Sequence, residues 1–152
     1  MPDDPWSDEV CPIARAMSVL GQRWAVLVVR EALLGRSLFS EFRRELGVAP
    51  DVLSARLAAL VEVGVLDAVE YQAPGARRRN RYVLTDAGHD LIPVLAAAAQ
   101  WGHRHMTRAD SSPYRFVESA TGRGVGVVMR RRDGTLVPTA NVDLVDAGLS
   151  RQ

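Results

Sequence analysis

The chain has 152 residues, 47% of them hydrophobic, with 19 basic and 18 acidic side chains, a net charge of +1 and one cysteine. That length buries one core plus a small appendage rather than two full domains, and a lone Cys11 excludes an internal disulfide framework or a cysteine zinc cluster and fits a reducing compartment. The charge is uneven: residues 1–10 hold four acids (−4), residues 11–109 hold thirteen arginines against nine acids (+4), and the remainder adds +1.

Residues 1–10, MPDDPWSDEV, form an acidic tail without the basic and apolar regions of a signal peptide. No apolar run approaches the roughly 18 residues of a membrane helix, so a soluble, cytoplasmic protein is expected. From Pro12 to Leu20, Ile13, Met17 and Leu20 recur at helical spacing before the stop at Gly21. RWAVLVVREALL, residues 23–34, is apolar nearly all round. Its length favours a buried central helix, although Val26, Val28 and Val29 also permit a strand.

SLFSEFRREL places Leu38, Phe42 and Leu46 four apart, with Ser37 or Ser40 as the expected cap and Gly47 as the stop. After GVAP, the segment PDVLSARLAALVEVG sets Val52, Leu53, Leu57, Leu60 and Val61 on one stripe, with Pro50 at the first helical position. Two short helices around a glycine-containing turn are the helix-turn-helix pattern. VLDAVEYQ then suits a strand, APGARRRN a loop and RYVLT a second strand. The chain thus predicts a mainly α, winged helix-turn-helix (α+β) domain whose small β-hairpin has a basic tip.

TDAGHDLIPVLAAAAQWGHRHM reads as one long helix capped by Thr85 or Asp86, with Pro93 kinking its second turn. Leu91, Val94, Leu95, Ala98, Trp101 and His105 mark its apolar stripe. Beyond about residue 110, VGVVMRR and TLVPTANVDLV flank the turn signal Asp133-Gly134 and predict a short C-terminal β extension over 110–152.

CPIARAMSVLGQRWAVLVVREALLG, FSEFRRELG, LSARLAALVEVGVLD and RYVLTDAGHDLIPVLAAAAQWG, taken in order, resemble the HxlR-type winged helix-turn-helix transcriptional regulators over Cys11 to about Met106. The resemblance implies, for the domain at 11–109, a homodimer joined through its first and last helices and bound to double-stranded operator DNA. It also implies a candidate redox or electrophile sensor at Cys11, just before the first helix, where the helix dipole favours a thiolate and Arg15 lies one turn on; the plain alternative is a small buried residue at a dimer interface. The wing is richer in arginine than in many members, and the extension lacks the cysteines that some relatives carry there, which excludes a zinc ribbon.

All nineteen basic residues are arginine, so position carries more information than identity. On the recognition helix Ser54, Ala55 and Arg56 lie near the N-terminus and off the apolar stripe; Arg can read guanine bidentately and Ser a base or phosphate, whereas Asp51 suits helix capping. Arg77, Arg78, Arg79 and Arg81 in the wing are candidates for phosphate or minor-groove contact, the bland reading of such a run being a solvated loop. Trp24, Leu95, Ala98 and Trp101 are candidates for a dimer interface or the lining of an effector pocket, and the two tryptophans read first as core. His103 and His105 stand two apart on a helix, so they point apart and suggest no metal site. No phosphate-cradling loop, nucleophile constellation or carboxylate pair suggests an enzyme or a cofactor. The expected function is a dimeric DNA-binding regulator responsive to a small molecule or redox signal; a winged-helix protein-interaction module is the alternative.

Overall fold

Pro12 opens the first helix of the computed structural model, which describes residues 11–106 and 113–145; the acidic tail lies outside them. α1 (Pro12–Leu20) starts from Cys11 in extended conformation, with proline supplying a fixed φ where an N–H would have no helical partner. Gly21 ends it, its N–H donating to Met17 O at 2.8 Å. α2 (Ala25–Leu33) begins two residues later than the apolar pattern suggests. The reason is Trp24, which takes φ +77° and is the one non-glycine residue with positive φ among the described residues. The Arg23 guanidinium lies 5.3 Å from the centre of the Trp24 ring system, and such a cation–π contact helps hold that conformation.

α2 buries Ala25, Val28 and Val29 and also the carboxylate of Glu31, which is 2% exposed. Arg30 neutralises it through Nε at 2.9 Å and a terminal nitrogen at 2.7 Å. The acid in an apolar helix is thereby tolerated, because a buried charge needs a partner.

α3 (Phe39–Leu46) is capped otherwise than the serines suggested. Leu38 occupies the cap position, and Glu41 reaches back so that the N–H groups of Ser37 and Leu38 both donate to its Oε2 at 2.9 Å. This is the glutamate half of a capping box. The Ser37 bond, then the Leu38 bond, holds the Glu41 carboxyl below its ordinary value. A lowered folded-state pKa stabilises the fold above the unfolded glutamate range, and that gain is lost as pH falls through the folded value. Glu41→Ala should cost about 1 kcal/mol at neutral pH, with the gap in thermal midpoint from the parent closing in acid; a gap independent of pH would contradict the assignment.

Gly47 ends α3, and Gly47 to Ala49 lead into α4 (Pro50–Glu62), which buries Leu53, Leu57 and Leu60 against the α2–α3 layer. β1 (Leu66–Tyr71) and β2 (Arg79–Leu84) follow as an antiparallel pair in the register Leu66 with Leu84 through Tyr71 with Arg79. The other edge of β2 meets the start of α3: Leu38 bridges Arg81, and the Tyr82 N–H donates to Ser37 O at 2.7 Å. The wing is thereby tied to the helix-turn-helix.

The long helix expected after the wing is two helices. α5 (Asp86–His89) is capped by Thr85, whose hydroxyl accepts from the Gly88 N–H at 3.1 Å and donates to Gly64 O at 2.5 Å. Gly88 is buried so tightly that a Cβ would lie 2.3 Å from Val65 O, a backbone atom that cannot yield. α6 (Ile92–His105) starts afresh, with Pro93 at its second position. Proline lacks the N–H that would bond back to His89 and clashes with that carbonyl, so it begins the second helix rather than kinking one helix.

The chain forms two compact units, one ending at Leu91 and the other beginning at Ile92, so that α6 groups with the extension. In the second unit β3 (Met129–Arg130) pairs antiparallel with β4 (Leu136–Val137) around the expected turn. The Thr135 N–H donates to Asp133 Oδ1 at 2.9 Å, which keeps that carboxyl below the usual range. A second turn, unforeseen in the sequence, closes where Val117 bridges Gly124, with the Glu118 N–H donating to Arg123 O at 2.8 Å. Gln100 of α6 ties this region down: its side-chain amide accepts the Val127 N–H and donates to Val127 O.

Candidate nucleic-acid interface

The solvent face of α4 is formed by Asp51, Ser54, Ala55, Ala58 and Glu62, spaced so that they share one side of the helix. It follows directly from the burial of Leu53, Leu57 and Leu60 on the other side. Ser54 and Ala55 are exposed there. Arg56 is only half-buried, and its Nε is enclosed without a hydrogen-bond partner, so its stem runs along the protein rather than straight into solvent. Asp51 stands in the first turn, where its charge suits the helix dipole.

The wing sorts its four arginines into two kinds. Its tip begins with a turn of the type II signature, Pro74 at the second position and Gly75 at the third with φ +74°, closed by the Ala76 N–H donating to Ala73 O at 3.0 Å. Arg77 and Arg78 lie in the loop, and Arg78 pairs with Glu70 across the hairpin at 3.7 Å. Arg79 and Arg81 belong to β2, a strand starting two residues earlier than the sequence suggested, and two-residue spacing puts them on one face. All four are exposed. Where β2 meets the start of α3, a groove of about 390 Å³ is lined by Leu38, Phe39, Ser40, Tyr71, Arg79 and Tyr82 among others.

Sequence reasoning missed Arg43 and Arg44. Both are exposed on α3, the helix that precedes the recognition helix, and Arg44 bonds Glu45 at 2.9 Å. The available signal was their place off the Phe42–Leu46 stripe. In helix-turn-helix proteins this first helix crosses the DNA backbone.

The HxlR-like helix-turn-helix profile matches residues 19–110. This chain belongs to the HxlR-like helix-turn-helix family. An HTH-type transcriptional regulator of Mycobacterium tuberculosis H37Rv is 36% identical over 110 residues, which span 72% of this chain and 68% of that one. The solved structure of PA1607, a candidate transcription factor, superposes with a TM-score of 0.80 at 36% identity, covering 93% of this chain and 99% of that one. The redox regulator HypR in its oxidized form superposes with a TM-score of 0.57 at 25% identity, covering 66% of this chain and all of HypR. The HxlR-like chain is therefore a DNA-binding, HTH-type transcriptional regulator with a winged-helix fold, and its relatives are regulators rather than enzymes.

The remaining candidates in this regulator belong to other elements. Cys11 is exposed at the start of α1. Trp24 is half-buried and Leu95 buried, whereas Ala98 is exposed. Trp101 is 59% exposed, so it does not belong to the chain's own core; its ring centre lies 5.5 Å from that of His105. His103 and His105 are exposed, and no cluster of His, Cys, Asp and Glu able to hold a metal occurs among the described residues. No helix among them is long and apolar enough to cross a membrane.

Proposed function

We propose that this regulator acts as a homodimer on operator DNA, with Ser54, Ala55 and Arg56 at the major groove and Arg77, Arg78, Arg79 and Arg81 on the flanking backbone or minor groove. The observation that carries the DNA reading is the exposed arginine wing, built on the same antiparallel pair that packs against α4. Phosphate recognition needs cations free of internal neutralisation, and only Arg78 of the four has an acid within ion-pair distance among the described residues. Arg43 and Arg44 add backbone contacts in this reading.

Dimerisation is supported by apolar side chains left facing solvent on the first and last helices. Ile13 is 58% exposed and Met17 lies beside it one turn on, while α6 presents Val94, Trp101 and Ala98. A monomer gains nothing from wetting them, and a second copy removes them from water. The proposed signal enters at Cys11, an exposed thiol at the start of α1 open to oxidants or electrophiles, or through a small-molecule effector.

A DNase footprint of the purified protein upstream of its own gene and its neighbours tests the reading. The expected result is a palindromic footprint of about two helical turns, weakened by diamide in the parent but not in Cys11→Ser. No protection at low salt would favour the protein-interaction module. Binding indifferent to diamide in both proteins would remove the thiol from the mechanism.

A further inference from the structure

We propose that Asp51 is a specificity-determining residue of the recognition helix, reading one cytosine in each operator half-site through the exocyclic amine of the base. This rests on placing the solvent face of α4 in the major groove, and it names what that face reads. The first ground is that the fold makes little use of this carboxylate. Ala49, not Asp51, holds the cap position of α4. Asp51 is exposed, and among the described residues it has no hydrogen bond or ion pair. The helix dipole alone favours an acid in the first turn. Against that, an uncompensated negative charge brought between two phosphate backbones weakens DNA binding unless a base answers it.

The second ground is what else the face offers. From Asp51 to Ala58 it carries only two side chains with hydrogen-bonding groups, Asp51 and Ser54, since Ala55 and Ala58 have none. Arg56 stands beside them half-buried, with its Nε enclosed. A recognition helix presents its N-terminal residues to the base edges, and the two alanines let the helix lie close enough for a side chain as short as aspartate to reach them. The chemistry then selects the base. An ionised carboxylate only accepts hydrogen bonds. In the major groove guanine shows the acceptors N7 and O6 and thymine shows O4, while adenine sets its N7 acceptor beside its amine. Cytosine alone offers an amine, N4, with no acceptor on the same edge of the base.

The test is selection of binding sites from duplex DNA with a randomised centre, performed with the full chain and with Asp51→Ala and Asp51→Asn, followed by titration of the selected duplex and its single-base variants at one salt concentration. The parent should select a cytosine at the same position of both half-sites and lose about tenfold in affinity when one of them becomes thymine. Asp51→Ala should bind cytosine and thymine there alike, with the rest of the site unchanged. Asp51→Asn should move the preference to adenine, because an amide matches adenine N7 and N6 bidentately. Both variants should keep the far-ultraviolet spectrum of the parent, since the residue is exposed. A change in affinity that is the same for every sequence, with the base preference intact, overturns the proposal and leaves Asp51 as a helix-terminal charge. A selected site in which no cytosine depends on Asp51 overturns it as well. A parent chain that enriches no sequence overturns the placement of α4 in the major groove, and this inference with it.

Discussion

Replacing Arg77, Arg78, Arg79 and Arg81 together by alanine should lower operator affinity by roughly 100-fold at moderate salt and flatten the plot of log K against log salt by about two to three units. Each phosphate neutralised by a guanidinium releases counterions and contributes close to one unit of slope, and two or three of the four can reach the backbone at once. The fold should not change, because all four side chains are exposed and the Arg78–Glu70 pair at 3.7 Å is a surface pair worth about 0–1 kcal/mol. Thermal midpoints therefore separate lost contact from lost structure. Paired variants resolve the wing further: Arg77→Ala with Arg78→Ala removes the loop cations, and Arg79→Ala with Arg81→Ala removes one face of β2. An undiminished salt slope in the fourfold variant, with operator binding intact, would show that the wing stays clear of the DNA.

Phe42→Ala should cost about 3–5 kcal/mol, a large share of the roughly 5–15 kcal/mol that holds a domain of this kind. Phe42 is fully buried on α3 and meets Tyr82 of β2 edge to face, with ring centres 6.5 Å apart and planes at 73°. Such a pair contributes about 0.5–1.5 kcal/mol beyond the area it buries. The larger consequence is mechanical, since Tyr82 is also the residue whose N–H fastens β2 to Ser37. Loss of the ring opens a cavity where the helix-turn-helix and the wing join, so operator binding should fall with stability. Equilibrium urea unfolding gives the energy directly; a loss below about 1 kcal/mol would mean that the site collapses around the smaller side chain. Phe42→Leu should fall between the two proteins.

Much of the reading head was legible in the sequence because its signals are local. The four-residue spacing of Leu53, Leu57 and Leu60 sets the buried side of α4, and therefore leaves Ser54 and Ala55 outward. Pro50 marks its start and Pro74-Gly75 the wing turn, since proline fixes φ and glycine accepts positive φ at little cost. Features that depend on a partner distant in space, or on competition between caps, were misread. Ser37 and Ser40 were both acceptable caps, yet the Glu41 carboxylate takes the two N–H groups, and a charged acceptor makes the stronger bonds. Spacing sets Arg56 off the apolar stripe with Ser54 and Ala55, and only the packing shows that it is half-buried with its Nε enclosed.

By itself the sequence determined the helix-turn-helix, the basic hairpin, the β turn at Asp133-Gly134 and the family, because periodicity, turn chemistry and the order of motifs all reside in neighbouring residues. Only the tertiary structure decided that Glu31 is buried against Arg30, that Trp101 faces solvent, that the chain breaks between α5 and α6, and that Gln100 holds the extension. The break follows from where Pro93 falls in the chain, while the other three depend on which atoms meet across the fold. Hydrophobic pattern states which side chains avoid water; the packing of whole elements states which of them succeed.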